Sequence, residues 1–188
     1  AYDGHNKDLE PGKKKKLAAD TVSVLDSLRD ELKNANLDIE EIVVGGTPMF
    51  TQYAPYTHLT PSPGTLFLHD WESAKHTDLP YEFGAMILSR VVSIPGKGNF
   101  TIDAGAKAIS MDYPERAKLI SHPEAVPGPI SEEHWIFTSG NGEPKLGDTV
   151  FLVPAHVCTT VHHFDKAYIV DDDGKLLDTW PITARGRI

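Results

Sequence analysis

A histidine and a cysteine two residues apart, His156 and Cys158, follow a run that reads as a strand, residues 149–154. On an extended backbone, residues i and i+2 point to the same side. A ring nitrogen of His156 (Nε2 or Nδ1) and the Cys158 sulfur could thus reach one ion. Imidazole with thiolate is a borderline-soft pair that suits zinc. Two protein ligands would leave coordination positions open, as catalytic rather than structural sites require. His162 and His163 lie close by and could add a nitrogen. The competing reading is a buried cysteine beside a core histidine, since free cysteine commonly packs inside.

Gly45-Gly46-Thr47, directly after the apolar run Ile42-Val43-Val44, is the second candidate. Glycines after a strand let backbone N–H groups approach a phosphate, and Thr47 adds a hydroxyl. The alternative is an ordinary tight turn, and neither a P-loop nor a dinucleotide fingerprint is present. Lys107, in Asp103-Ala104-Gly105-Ala106-Lys107, reads as an exposed lysine on a β-turn rather than a Schiff-base lysine. Ser131-Glu132-Glu133-His134 reads as a polar loop that could also supply an acid/base pair.

The elements that would hold these groups divide the chain. Residues 14–35 predict an amphipathic helix, with Leu17, Thr21, Val24, Leu25, Leu28 and Leu32 on one face at helical spacing. Pro11-Gly12 marks a turn before it, and Asn34 and Asn36 suit its end. Helix, short strand and glycine-rich loop in that order belong to an α/β fold with a parallel sheet. Residues 48–64 read as an ordered loop and 65–70 as a second strand. From residue 83 strand-like runs appear at 84–94, 99–103, 149–154, 166–170 and 175–180. Turn signals at Pro95-Gly96 and Asp173-Gly174 separate them. The proline-rich stretch 111–131 reads as an irregular excursion. The expected class is α/β plus β: residues 1–70 a partial TIM-type barrel segment, 71–82 a connector, and 83–188 a mostly antiparallel β domain carrying the metal site.

Composition narrows the function. The 188 residues are 40% hydrophobic and 24% charged, the balance of a globular protein. A net charge of −9 argues against nucleic acid, whose binding rests on Lys and Arg against phosphate. The basic block Lys13–Lys16 reads as a solvated helix start. No apolar run reaches the roughly 18–20 residues of a membrane span. One cysteine leaves no internal disulfide and fits a reducing, cytoplasmic setting. The chain opens on Ala1 without a leader-like pattern, which suggests part of a longer protein.

Taken together these segments resemble the family of D-threonine aldolases and D-serine or D-threo-3-hydroxyaspartate dehydratases. The matches, in order, are Tyr2-Asp3-Gly4-His5, Val44-Gly45-Gly46-Thr47-Pro48, and Pro63-Gly64-Thr65 with Asp70. They continue with Asp103-Ala104-Gly105 through Ser110 and Asp112, and with Ser131-Glu132-Glu133-His134. Last come Pro154-x-His156-x-Cys158-x-Thr160-Val161, Asp178-Thr179-Trp180-Pro181 and Ala184-Arg185-Gly186. The resemblance implies a pyridoxal 5′-phosphate (PLP) and metal-dependent lyase acting on D-configured β-hydroxy amino acids, a homodimer when complete. It implies that Gly45, Gly46 and Thr47 cradle the cofactor phosphate with Tyr2 near its ring. His156 and Cys158 would bind the metal, zinc or manganese. Cys158 stands where aldolases often carry an acidic residue, which tilts the resemblance toward a dehydratase. Leu66 replaces the tyrosine the family usually has there. The family's Schiff-base lysine lies in the amino-terminal barrel half, outside these residues, so the chain alone is expected to be inactive. A non-catalytic metal-binding or interaction domain and a zinc hydrolase are the alternatives from other classes.

Overall fold

The computed structural model describes residues 1–7 and 10–185; Gly186, the end of the last motif, lies outside them. The chain divides into two compact units, Ala1–Glu82 and Phe83–Ile188.

In the first unit, helix α1 (Pro11–Asn34) begins at Pro11, so Pro11-Gly12 forms its first turn rather than a turn before it. Proline suits that position because its missing N–H has no partner there anyway. Asn36, at φ 60°, takes the left-handed position that ends the helix, and the Leu37 amide returns to the Leu32 carbonyl at 2.9 Å. The buried line along α1 is Lys14, Ala18 and Val22. The predicted stripe is thus rotated: Leu17, Thr21, Leu25 and Leu32 are half-buried, while Val24 and Leu28 are exposed.

Strand β1 (Val43–Val44) pairs in parallel with β2 (Thr60–Pro61). Ala1 lines the other side of β1, its amino group donating to Val43 O at 2.7 Å and its carbonyl accepting from Gly45 N at 3.1 Å. The expected loop 48–64 also holds a short helix, α2 (Phe50–Tyr53). Ala18, Val22, Val44, Met49, Tyr53 and Leu59 form the core. Residues 65–70 are not a strand. Thr65–Phe67 is a 3-10 turn, and the Leu68 and His69 amides both return to Thr65 O. With the Phe67, Leu68 and His69 amides spent on turn bonds and the Leu66 amide on Thr47 Oγ1, the segment does not present the ladder donors of a strand.

The second unit is built on a six-stranded antiparallel sheet. Its strands are β3 (Ile87–Gly96), β4 (Asn99–Ile102), β5 (Ala117–Leu119), β6 (Val126–Ile130), β7 (Trp135–Thr138) and β8 (Thr149–Pro154), in the order β5-β8-β3-β4-β7-β6. A hairpin of β9 (Lys166–Val170) and β10 (Leu176–Pro181) forms a separate pair. The class is α/β plus β, as expected. Alternation along β7 and β8 puts Trp135, Phe137, Val150 and Leu152 into the core, with Ile136 and Phe151 outside. The stretch 111–131 is less irregular than expected, since it supplies both edge strands. Pro95-Gly96 still belongs to β3, and the chain reverses after it, with Gly98 at φ 79°.

Candidate active site

After β8 the strand stops at Pro154, and the chain turns into a five-residue helix, α3 (Val157–Val161). His156 precedes α3 with an extended backbone (φ −128°, ψ 104°), and Cys158 lies in the first turn. The expected single extended segment is therefore a strand-to-helix corner. The two side chains nonetheless meet in a hydrogen bond. Strand pairing brings in a third group: β5 lies on β8 with Ala117 opposite Pro154, and Ala155 N donates to Arg116 O at 2.8 Å. That register carries the loop before β5 to the corner, where Asp112 Oδ2 lies 2.6 Å from His156 Nδ1. The Tyr113 ring packs edge-on against the imidazole, centroids 5.7 Å apart.

The electrostatics follow from these neighbours. The hydrogen bond with Cys158, and then that with Asp112, push His156 up to about 9. Partial burial works against Asp112, yet its bonds to His156 and Thr159 hold it below the usual carboxylate range. With Nδ1 taken by Asp112, Nε2 is the ring nitrogen left to a ligand. A borderline nitrogen and a sulfur side by side on an exposed corner are a fitting donor pair for zinc. Among the described residues, no group of three or more His, Cys, Asp or Glu side chains is arranged to hold an ion. His162 and His163 are exposed and meet each other edge to face instead.

The second cluster is closed. Tyr2, Gly45, Gly46 and Thr47 do come together, with Tyr2 Cε2 3.4 Å from where a Cβ on Gly46 would stand. The amides that were to meet a phosphate are engaged, however. Gly45 N–H goes to Ala1 O and Gly46 N–H to Asp3 Oδ1 at 2.9 Å. Asp3 is buried and also accepts from Tyr53 Oη at 2.5 Å, and burial with that bond raises the phenol far above its ordinary value. Gly45 is required here by its φ of 87°, with the Tyr53 ring 3.1 Å from where a Cβ would stand. Thr47 Oγ1 accepts from Leu66 N at 3.1 Å, which leaves its own proton to give. As placed, the two glycine amides do not fit a phosphate.

The remaining candidates resolve simply. Lys107 is an exposed turn lysine, as read, bridging Glu132 and Glu133 at 2.9 Å each. Gly105 beside it is needed because the Ser131 and Glu132 backbone leaves no room for a Cβ. With Glu132 and Glu133 on Lys107 and His134 exposed, the segment forms no acid/base pair.

Sequence reasoning missed Asp112 as a site residue and misread Lys14. Far from being a solvated helix start, Lys14 is fully buried against Asp78 at 2.6 Å, and Asp78 also accepts from Thr51 and Gln52. Asp112 stood among the matched motif residues, but nothing local marks a partner 44 positions away.

Residues 84–170 match the family model described as "Putative serine dehydratase domain". A 3-hydroxy-D-aspartate aldolase from Paracoccus denitrificans is 29% identical over 127 residues, 64% of this chain and 30% of that protein. The solved D-threonine aldolase from Filomicrobium marinum superimposes with a TM-score of 0.89 at 26% identity, over 98% of this chain and 52% of that one. D-threo-3-hydroxyaspartate dehydratase from Delftia sp. HT23 shares the fold, with a TM-score of 0.82 at 20% identity over 99% of this chain and 55% of that one. The chain thus spans about half the length of the solved structures it matches.

Proposed function

We propose, for a chain whose residues 84–170 match the model of a putative serine dehydratase domain, that it is the metal-bearing part of a lyase acting on D-configured β-hydroxy amino acids. The observation that carries the reading is His156 beside an exposed Cys158 on one corner, with Asp112 holding the His156 Nδ1. When bound, a divalent ion such as zinc or manganese supplies Lewis acidity toward a substrate oxygen. The chain's own part is to offer one nitrogen and one sulfur and to leave the other coordination positions open. The side chain of Asp112 orients the imidazole, and the Tyr113 ring limits its rotation.

The family resemblance brings PLP as the electron sink of the complete protein. The engaged amides of Gly45 and Gly46 do not support the phosphate cradle, so the proposal rests on the metal pair. It also brings a preceding barrel half and a homodimer as partners. In the first unit the open apolar groove lined by Leu25, Leu28, Ile39, Ile42 and Val43 is a surface such a barrel half would cover.

Titration with zinc, and with cobalt(II) as an absorbing stand-in, tests the pair. The wild-type chain is expected to bind one ion and give sulfur-to-cobalt charge-transfer absorption, which Cys158→Ala abolishes. Equal affinity in wild type and variant, or no sulfur band, overturns the assignment. Product analysis of the complete protein with D-threonine, D-serine and D-threo-3-hydroxyaspartate then separates cleavage to glycine and an aldehyde from dehydration to a keto acid.

A further inference from the structure

We propose that Asp112 is a positioning residue that fixes His156 as its Nδ1–H tautomer and turns Nε2 toward the ion, an inference that rests on the reading of His156 and Cys158 as metal ligands. Distance is the first argument: Nδ1 and Oδ2 lie 2.6 Å apart, and an ionised carboxylate can only accept, so the ring must carry its proton on Nδ1. A neutral imidazole so held keeps its lone pair on Nε2.

The carboxylate is itself held in place. Thr159 Oγ1 lies 3.0 and 3.2 Å from the two Asp112 oxygens and 2.7 Å from Ser110 Oγ. Thr159 has one hydroxyl proton and cannot serve all three. The charged acceptor makes the stronger bond, so Thr159 donates to Asp112 and Ser110 donates to Thr159. The backbone is fastened by the next residue, since Thr160 Oγ1 accepts from Ser110 N at 3.1 Å and donates to His156 O at 2.8 Å. Two adjacent threonines of α3 therefore tie the 110–112 loop to the residue that the loop orients. Outer-shell carboxylates of this kind raise the basicity of a ligating histidine and set its orientation.

Zinc titration of the 188-residue chain, with imidazole 15N spectra, tests the proposal. Asp112→Ala is expected to weaken zinc binding by about 10–100-fold. Asp112→Asn keeps a carbonyl acceptor for Nδ1–H and should recover part of that loss, and Thr159→Val should cost a few-fold, about 2–5, by loosening the carboxylate. In the metal-free chain, at a pH where the ring is neutral, wild type should show His156 as Nδ1–H. Asp112→Ala should shift it toward Nε2–H. A purely structural role would lower the melting temperature and leave the tautomer alone. Zinc affinity within about two-fold of wild type in Asp112→Ala with an unchanged tautomer overturns the proposal. Should Asp112→Ala fail to fold, the same readouts in Asp112→Asn and Thr159→Val decide. If wild type binds no zinc, the metal reading falls, while the tautomer still decides whether Asp112 sets the ring.

Discussion

The Gly45–Thr47 turn of the first unit and the His156–Cys158 corner of the second have much in common. Each follows a strand, and each gathers polar groups from distant sequence around a carboxylate, buried at Asp3 and exposed at Asp112. They differ in where the polar groups go. Around Gly45 the chain satisfies itself: Asp3 takes Gly46 N–H and Tyr53 Oη, and Ala1 O takes Gly45 N–H. At His156 the carboxylate takes Nδ1 and leaves Nε2 to a ligand, with the exposed Cys158 two residues on. A cluster whose donors and acceptors are consumed internally contributes to folding, because each buried group would otherwise cost about 1–3 kcal/mol. A cluster that orients donors and leaves them open has capacity for a ligand. The comparison predicts large stability effects and no ligand effects in the first unit, and the reverse in the second.

Asp78→Ala should show the largest effect. It strands the ammonium of Lys14, which is wholly buried, and removes the acceptor of Thr51 and Gln52. Breaking a buried pair typically costs about 3–5 kcal/mol, and the partial exposure of Asp78 points to the lower end. Hydrogen exchange at α1 amides would report it, and unchanged protection would mean that the first unit is not closed on itself. Lys14→Met should be milder, since the Asp78 carboxylate it leaves unpaired is partly exposed and still accepts from Thr51 and Gln52.

Asp3→Ala should come next, at about 2–4 kcal/mol, because two buried donors lose their acceptor. Tyr53→Phe removes a donor instead of an acceptor and should cost about 1 kcal/mol. Neither should alter zinc affinity at His156 and Cys158, and a change there would break the proposed separation.

Acid should weaken the first unit by a smaller step. Burial, and then the charge of Lys14, lower His76 below its ordinary 6.5, and burial lowers His69. The unfolded chain therefore takes up protons that the folded one refuses. Stability is fully present above about pH 6.5 and is lost as pH falls below it. Asp78, held below 3.8 by Lys14 despite its burial, adds a second loss at lower pH. Denaturation between pH 7 and 5 should show a shallower slope in His76→Gln than in wild type, with His69 supplying the remainder. Equal slopes would remove His76 from the account.

Which parts of this were legible in the sequence follows from how local their causes are. Strands β8 and β9 could be read because alternation or an apolar run is a property of neighbours in sequence. β6 was hidden by Pro127 and Pro129, residues a central strand would not tolerate, yet β6 is an edge strand with one side free of ladder bonds. Helix α1 was visible, but its rotation was not. The leucine stripe marks what could be buried, and packing chose the line through Lys14 and Ala18 with Asp78 as the distant ion partner. The residue types of His156 and Cys158 suggested a metal, whereas the corner geometry depends on the β5–β8 register. Asp112 reaches the ring only through that same register.

The smallest stability effect is expected where the ligand effect is greatest. Cys158 is exposed at the start of α3, so Cys158→Ala removes little packing and one hydrogen bond and should change unfolding free energy by about 1 kcal/mol or less. The same substitution halves the donor pair and should remove the zinc-induced rise in melting temperature, because an ion bound only to the folded state stabilises it by mass action. For wild type that rise should shrink in acid, since protons compete with the metal for the sulfur and the imidazole. Scanning calorimetry with and without zinc, in wild type and Cys158→Ala, reads both quantities at once. A large destabilisation of the metal-free variant would show that Cys158 packs like the closed cluster around Asp3. A zinc-dependent rise that survives the substitution would place the ion elsewhere.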